Sequence, residues 1–399
     1  MSARYDRMQR LISLCLIVSI LAGAMLSRVA TAVAEPLKIG FVATFSGPGG
    51  VLGTELYDGF MLGVEHANGK LGGLDTEVLQ VDDQLKPDGA KQAVERLLQK
   101  DKVHFIAGVV FSNVMMAIYK PVVEAQTFLI SANAGPSPIA GKLCSPFFFS
   151  SSWQNDQMHS TVGEYVQAAG YKNVFLMAPN YQAGWDSIAG FKRHYTGEVA
   201  GELFTKLGQI DFTAEITQIR AAKPDAMFAF MPGGMGISLV KQLAEAGVMG
   251  EIPFFSAFTV DHVTLPAVGE AAVGALTPTM WGPDLDNAAN KKFVGDFQKK
   301  YGRMPSHYAV QGYDAAQLID SAVRAVGGDL SNADGLRQAL QQGNIQSPRG
   351  KFAFNHNHFP VQDFYIAEVV KKADGALDIV IRKKVFTDAK DAYHDECKM

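Results

Sequence analysis

Residues 39–53 read IGFVATFSGPGGVLG. An apolar run, Ile39 to Phe45, feeds a glycine-rich turn, and an amphipathic segment, Thr54 to Phe60, follows. Strand, glycine turn and helix in this order open nucleotide-binding folds and other α/β folds alike, so the spacing has to discriminate. Gly47–Gly53 spells G-x-G-x-x-x-G, a neighbour of the dinucleotide fingerprint, whose glycines permit a tight turn and close approach to pyrophosphate. That fingerprint needs an acid about 20 residues on for the ribose. The candidates here, Asp82 and Asp83, lie 29 and 30 residues beyond Gly53. Pro48 also lacks one of the N–H groups that would cradle phosphate. A second near-miss, Gly135–Lys142, has one residue too many between its glycines for a P-loop, and Leu143 replaces the metal-binding hydroxyl. The turn is therefore read as a fold element, and no cofactor is expected.

The chain has 399 residues, of which 36 are basic and 40 acidic. Its start has the three-part build of a secretory signal peptide: Arg4, Arg7 and Arg10, then the apolar run Leu11–Leu26, then Ala32-Val33-Ala34 ahead of Glu35. An apolar run of about 16 residues is short for a membrane span of roughly 20, so cleavage after Ala34 and a periplasmic product are expected. Cys15 lies inside the apolar run with no cleavage pattern before it, so no lipid anchor is expected. Residues 1–34 carry four Arg and one Asp, leaving 32 basic against 39 acidic side chains and a formal charge of −7. A mildly acidic surface disfavours nucleic acid and anionic lipid as partners. Two cysteines remain, Cys144 and Cys397. A single pair in an oxidising compartment suggests one disulfide.

Apolar runs of strand length alternate with helical patterns almost throughout. The strands are expected at 37–44, 77–81, 105–110, 128–131, 173–177, 198–204, 226–231 and 253–256. Helices are expected between them at 55–68, 87–99, 113–125, 156–169, 184–194, 212–222 and 236–246. Strands without polar alternation imply burial on both faces, as in a parallel sheet covered by helices, and the β-then-α order argues for doubly wound α/β architecture. Turn-rich stretches at 145–152, 278–286 and 343–351 interrupt the series three times. Helices at 290–301 and 308–326 fall between the second and third breaks, and strands at 352–354 and 363–370 follow. Three breaks suggest two lobes with three crossings: residues 35–150 with 283–345 in one, and 151–282 with 346–399 in the other.

The ordered set of turns resembles the periplasmic solute-binding proteins of the leucine/isoleucine/valine-binding type, the receptors of ABC importers. The likeness rests on Phe45-Ser46-Gly47-Pro48, Asn68-Gly69-Lys70-Leu71-Gly72-Gly73, Asp82-Asp83, Phe105-Ile106-Ala107-Gly108 and Pro121. It continues through Ser131-Ala132-Asn133-Ala134, Asp211-Phe212-Thr213, Lys223-Pro224-Asp225-Ala226, Gly312-Tyr313-Asp314-Ala315 and Arg349-Gly350. It spans essentially the whole chain after Ala34. It implies a type I periplasmic binding fold: two doubly wound α/β lobes, three hinge crossings and a ligand cleft. It also implies a small-molecule ligand, an inner-membrane permease as partner and a monomer. A sensor or chemoreceptor partner on the same scaffold is the other class.

Ligands of α/β lobes sit at the carboxyl ends of the strands. At the first such end, Phe111-Ser112-Asn113, Ser112 reads as a helix N-cap; the family places a carboxylate-holding serine there. At the second, Asn133-Ala134-Gly135, the family's threonine falls at Gly135, so backbone N–H groups and the Asn133 amide would hold the anion. At the third, alternation sends Phe228 and Phe230 to one face, with Phe228 the core residue and Phe230 near a family tyrosine. At the fourth, Phe258 falls where the branched-chain receptors carry a glutamate for the ligand's α-ammonium. Cleft tyrosines of the family fall at Leu52 and Ala183, and Trp153, Tyr181 and Trp185 stand nearby. The resemblance with these departures implies a small carboxylate with an aromatic or bulky apolar body, such as a benzoate- or cinnamate-like acid. Branched-chain amino acids are the alternative, with Asp156 or Asp186 as ammonium partner. Asp156 also reads as a first-turn acid favoured by the helix dipole. No G-x-S-x-G, H-E-x-x-H or C-x-x-C occurs, so no enzyme is expected. His356 and His358 read as a solvated turn and not as a metal pair.

Overall fold

The computed structural model describes Glu35–Met399. The expected signal segment, its cleavage site and the matter of an anchor lie outside the described residues. Among the described residues no helix is long and apolar enough to cross a membrane.

Two sheets organise the chain. The first comprises β1 (Leu37–Ala43), β2 (Thr76–Asp82), β3 (Phe105–Gly108), β4 (Phe128–Ser131) and β5 (Phe148–Ser150), in the order β2-β1-β3-β4-β5. All its pairs are parallel. The second comprises β6 (Asn173–Pro179), β7 (Glu198–Thr205), β8 (Ala226–Phe230), β9 (Phe254–Ala257), β10 (Leu276–Thr279), β11 (Gln362–Lys371) and β12 (Leu377–Ala389). Its order is β12-β11-β10-β9-β8-β6-β7. Read from β7 to β10 it repeats the winding of the first sheet, and the antiparallel β11 and β12 extend its far edge. β3, β4 and β8 are buried along their whole length, as their unbroken apolar runs require.

The sequence expectations fail at identifiable places. β3 ends at Gly108 and not at residue 110, because Gly108 (φ 107°) and Val109 (φ 65°) leave the extended region. The stretch 145–152, read as a turn, contains β5. Residues 352–354 form no strand; Phe354 makes only an isolated bridge to Pro360. Neither β12 nor the helix Ala333–Gln342 was anticipated.

The glycine turn does structural work. A Cβ on Gly53 would lie 1.9 Å from the Thr44 carbonyl oxygen, so only glycine lets the helix Gly50–His66 start this close to the end of β1. Asp82 accepts hydrogen bonds from the Phe45 and Gln84 N–H groups, and Asp83 accepts from the Thr44 hydroxyl and the Leu85 N–H. The Asp82-Asp83 pair is thus a loop fastener.

The chain passes from β5 directly into the second lobe's helix Asn155–Ala169. It returns after β10 through the helices Ala288–Tyr301 and His307–Ala325, which pack on Gly50–His66. It crosses again between Gln342 and β11. Arg349, at this third crossing, is 3 % exposed and its partner Asp314 is fully buried. The guanidinium donates to Asp314 Oδ2 from Nε (3.0 Å) and Nη2 (2.8 Å), to Ser151 O (2.7 Å), to Ser152 O (3.2 Å) and to Gln362 Oε1 (2.8 Å). One side chain therefore joins the first crossing, the third crossing, β11 and the helix His307–Ala325.

The tail runs back to the first lobe. The Asn357 amide donates to Ala140 O (2.8 Å) and to Asp391 Oδ2 (2.9 Å), and Cys397 is bonded to Cys144 with a Cα–Cα distance of 5.6 Å. His358 is not solvated: it is buried, stacks on Phe149 at 4.0 Å and pairs through Nδ1 with Phe148 O. The ring is apolar enough to be packed between strands once both nitrogens have partners, the second being Gln341.

Arg349→Met should destabilise the protein by about 3–5 kcal/mol, because it leaves Asp314 as an uncompensated buried charge. The double variant Arg349→Met/Asp314→Leu should recover much of that loss. Urea unfolding measures both; a single-variant loss below about 1 kcal/mol removes the pair from its place as the clasp of the crossings.

Candidate functional site

In a doubly wound sheet the crevice for a ligand opens where the strand order reverses, beyond the carboxyl ends of the strands. That point lies between β1 and β3 in the first sheet and between β6 and β8 in the second. The residues just past these four strands come together around one cavity.

The first-lobe wall is formed by Leu52, Val110, Phe111, Ser112, Asn133 and Ala134. Here the helix Ser112–Glu124 begins. Ser112 is not its cap: the N-cap is Phe111, and no side chain caps the helix. The Ser112 hydroxyl instead accepts from Asn155 Nδ2 (3.1 Å), which leaves its own proton for a ligand. An uncapped helix start beside a hydroxyl favours an anion. Asn133 donates to Val110 O (2.7 Å), and its Oδ1 is buried with no partner.

Two expected residues stand outside this wall. Asn113 does not line the cavity. The Gly135 N–H is taken by Asn155 Oδ1 (3.0 Å), and a Cβ there would lie 2.1 Å from the Trp153 carbonyl oxygen. Gly135 supports the wall from behind.

The opposite wall is aromatic. Trp153, Tyr181, Phe230 and Phe258 all line it, as expected, together with Ala183 and Pro232. Phe258 is central: its ring centroid is 4.9 Å from Trp153, 5.8 Å from Phe230 and 5.3 Å from His307. Phe258 has φ 56°, an unfavourable region for an aromatic residue, and its ring reaches the cavity from the end of β9. Tyr181 stacks on Phe230 at 6.3 Å and approaches Phe111 across the cleft at the same distance. Phe228 is core, fully buried against Phe191 at 4.8 Å. Trp185 is 50 % exposed and lies away from the cavity.

His159, Asn155 and Tyr308 also line the cavity, and nothing at a strand end announced them. Asn155 and His159 are one helical turn apart, so a polar pair on a buried helix face was the available signal. Tyr308 reaches the site only through the packing of its helix.

Among the described residues no Asp, Glu, Lys or Arg lines the cavity. Asp156 is bonded to Arg193 (2.7 Å) and to the Tyr393 hydroxyl (2.9 Å), behind the site. Asp186 lies in the seam between lobes. It accepts from Ser137 N (3.1 Å), Ser137 Oγ (2.7 Å), Asn155 Nδ2 (2.8 Å) and Gln182 Nε2 (2.8 Å). Burial, and after it the Asp156 charge, lift the Asp186 pKa to about 6 against the pull of these donors. Neither carboxylate is positioned to meet a ligand ammonium. Burial also holds His159 neutral, with its pKa pulled down to about 3.

The geometry agrees with what the chain is similar to. It is 34% identical to an ABC-transporter solute-binding protein from R. palustris solved with benzoate, with a TM-score of 0.87, over 92% of this chain and 100% of that one. It is 30% identical to a solute-binding protein from Rhodopseudomonas palustris BisB5 solved with 3,4-dihydroxybenzoic acid, with a TM-score of 0.84, over 90% and 99% of the two chains. Leu/Ile/Val-binding protein homolog 6 of Brucella melitensis is 28% identical over 372 residues, covering 90% of this chain and 94% of that protein. Residues 36–376 match the periplasmic binding protein family, and with two doubly wound lobes around one cleft the chain belongs to that family.

Proposed function

We propose that the protein is the monomeric periplasmic receptor of an ABC importer and captures a small carboxylate with an aromatic body. The observation that carries this reading is the cavity itself: an uncapped helix start on one wall, aromatic rings on the other, and no charged side chain between them. The helix N–H groups and the Ser112 hydroxyl hold the carboxylate, and the Trp153, Tyr181, Phe230 and Phe258 rings enclose the ring. Burying an ammonium without an anionic partner is costly, which disfavours branched-chain amino acids despite the names of the Brucella relatives. The similar proteins solved with benzoate and dihydroxybenzoate support the aromatic class. Ligand bridging the two walls shifts the lobes toward the closed arrangement, and the closed form is what the membrane permease engages.

A thermal-shift and calorimetric comparison of benzoate with leucine tests the reading. A ligand at 100 times its Kd should stabilise the protein by about 2.7 kcal/mol. Benzoate should do so and leucine should not; the reverse result would overturn the aromatic assignment. Ser112→Ala should weaken benzoate binding by about 1.5–3 kcal/mol, the value of a hydrogen bond to a charged group; unchanged affinity would show that the carboxylate sits elsewhere.

The seam carries a pH signature. Asp186 keeps its proton up to about pH 6 in the folded protein, against 3.8 for an ordinary aspartate. Between these values the folded form holds an extra proton, so this group's contribution to stability falls as the pH rises from 3.8 to about 6. Relative to Asp186→Asn, the wild type should lose about 2–3 kcal/mol across that window and nothing further above it. Urea unfolding at several pH values measures the difference, and a pH-independent difference would refute the assignment.

A further inference from the structure

The polar groups on the second-lobe wall of the cavity are the Tyr181 hydroxyl, the Trp153 indole N–H, the Asn155 amide, which donates to Ser112 and Asp186, and the His159 imidazole. His159 is 1 % exposed. Its ring meets Phe230 edge-on at 4.9 Å and both Phe258 and Phe228 at 5.8 Å. Its Nδ1 is buried and has no hydrogen-bond partner. Leaving a polar ring nitrogen unpaired among phenylalanines costs free energy, and a leucine or phenylalanine would fill the same space without that cost. Burial keeps the imidazole neutral, so it offers one N–H donor and one acceptor nitrogen and no charge. A phenolic hydroxyl is both donor and acceptor and matches either tautomer. An ammonium group would find no countercharge here.

We infer that His159 is the specificity residue of this site and reads a hydroxyl on the ring of the bound acid, so that the substrate class is hydroxylated aromatic carboxylates. The inference rests on the aromatic-carboxylate reading above. The carboxylate is held by the helix start in the first lobe, and His159 stands on the opposite lobe. The hydroxyl therefore lies on the ring edge away from the carboxylate, at the meta or para position.

Isothermal titration of the purified protein with benzoate, 3-hydroxybenzoate, 4-hydroxybenzoate and 4-methylbenzoate tests this. At least one hydroxybenzoate should bind roughly tenfold tighter than benzoate, the value of one well-placed hydrogen bond, and 4-methylbenzoate should show no such gain. His159→Leu should bring the hydroxybenzoate-to-benzoate ratio close to one, and His159→Gln should keep part of the ratio. A wild-type ratio of one, or a ratio that His159→Leu leaves unchanged, overturns the inference while benzoate binding keeps the broader reading intact. Failure of all four acids to bind the wild type overturns that broader reading. Should His159→Leu not fold, the hydroxyl-against-methyl comparison on the wild type and the His159→Gln ratio decide.

Discussion

The arrangement of the two lobes depends on one buried guanidinium. Arg349 reaches the carbonyl oxygens of Ser151 and Ser152, the Gln362 amide and the Asp314 carboxylate at once. Backbone that crosses between domains cannot complete a sheet or helix ladder, so its polar groups need other partners. Here a planar fork of donors supplies them. A lysine has no fork and could not serve four acceptors in these directions. The clasp sits on the crossings themselves.

The cavity follows from the repeated winding of the two sheets. Each sheet reverses strand order once between neighbours, and each presents the carboxyl ends of that pair to the cleft. The two contributions are chemically unlike. The first lobe offers an uncapped helix start, Ser112 and Asn133. The second offers Tyr181, Phe230, Phe258 and His159. Polar groups and aromatic rings are thereby divided between the two lobes. At the meeting line Gly233 has φ 65°, and a Cβ there would stand 2.9 Å from the Pro48 carbonyl oxygen of the glycine turn. The turn that resembled a phosphate cradle is thus also the surface on which the second lobe rests.

Much of this was legible in the sequence because buried parallel strands leave unbroken apolar runs, and chemistry collects at their ends. Phe111, Ser112, Asn133, Ala134 and Phe230, all of which line the cavity, stand at such ends, while Leu52 and Phe258 were pointed to by the family resemblance and Trp153 and Tyr181 by standing nearby. What escaped was set by tertiary packing. His159 and Tyr308 lie on helices, and only the docking of those helices turns them into the cavity. The role given to Ser112 changed because its hydroxyl is claimed by Asn155, 43 residues away. Arg349 showed locally as a turn residue, and its partner lies 35 residues back. β5 was hidden because it is only three residues long. β12 was hidden because, as an edge strand, it exposes Arg382, Lys383 and Lys384, which cut its apolar run to Ile379-Val380-Ile381.

The link between Cys144 and Cys397 sets an order of events during biosynthesis. Its two ends are 253 residues apart. At translation rates of about 5–20 residues per second, the first thiol waits roughly 13–50 s for its partner to be made. Among the described residues Cys397 is the only other cysteine with which Cys144 can pair. The first lobe must reach its shape with an open thiol, and oxidation can only ratify an arrangement that packing has already chosen. Closing so long a loop then removes a large share of the freedom of the unfolded chain. The bond is a record that the chain has been made as far as Cys397 and that packing has brought its two ends together.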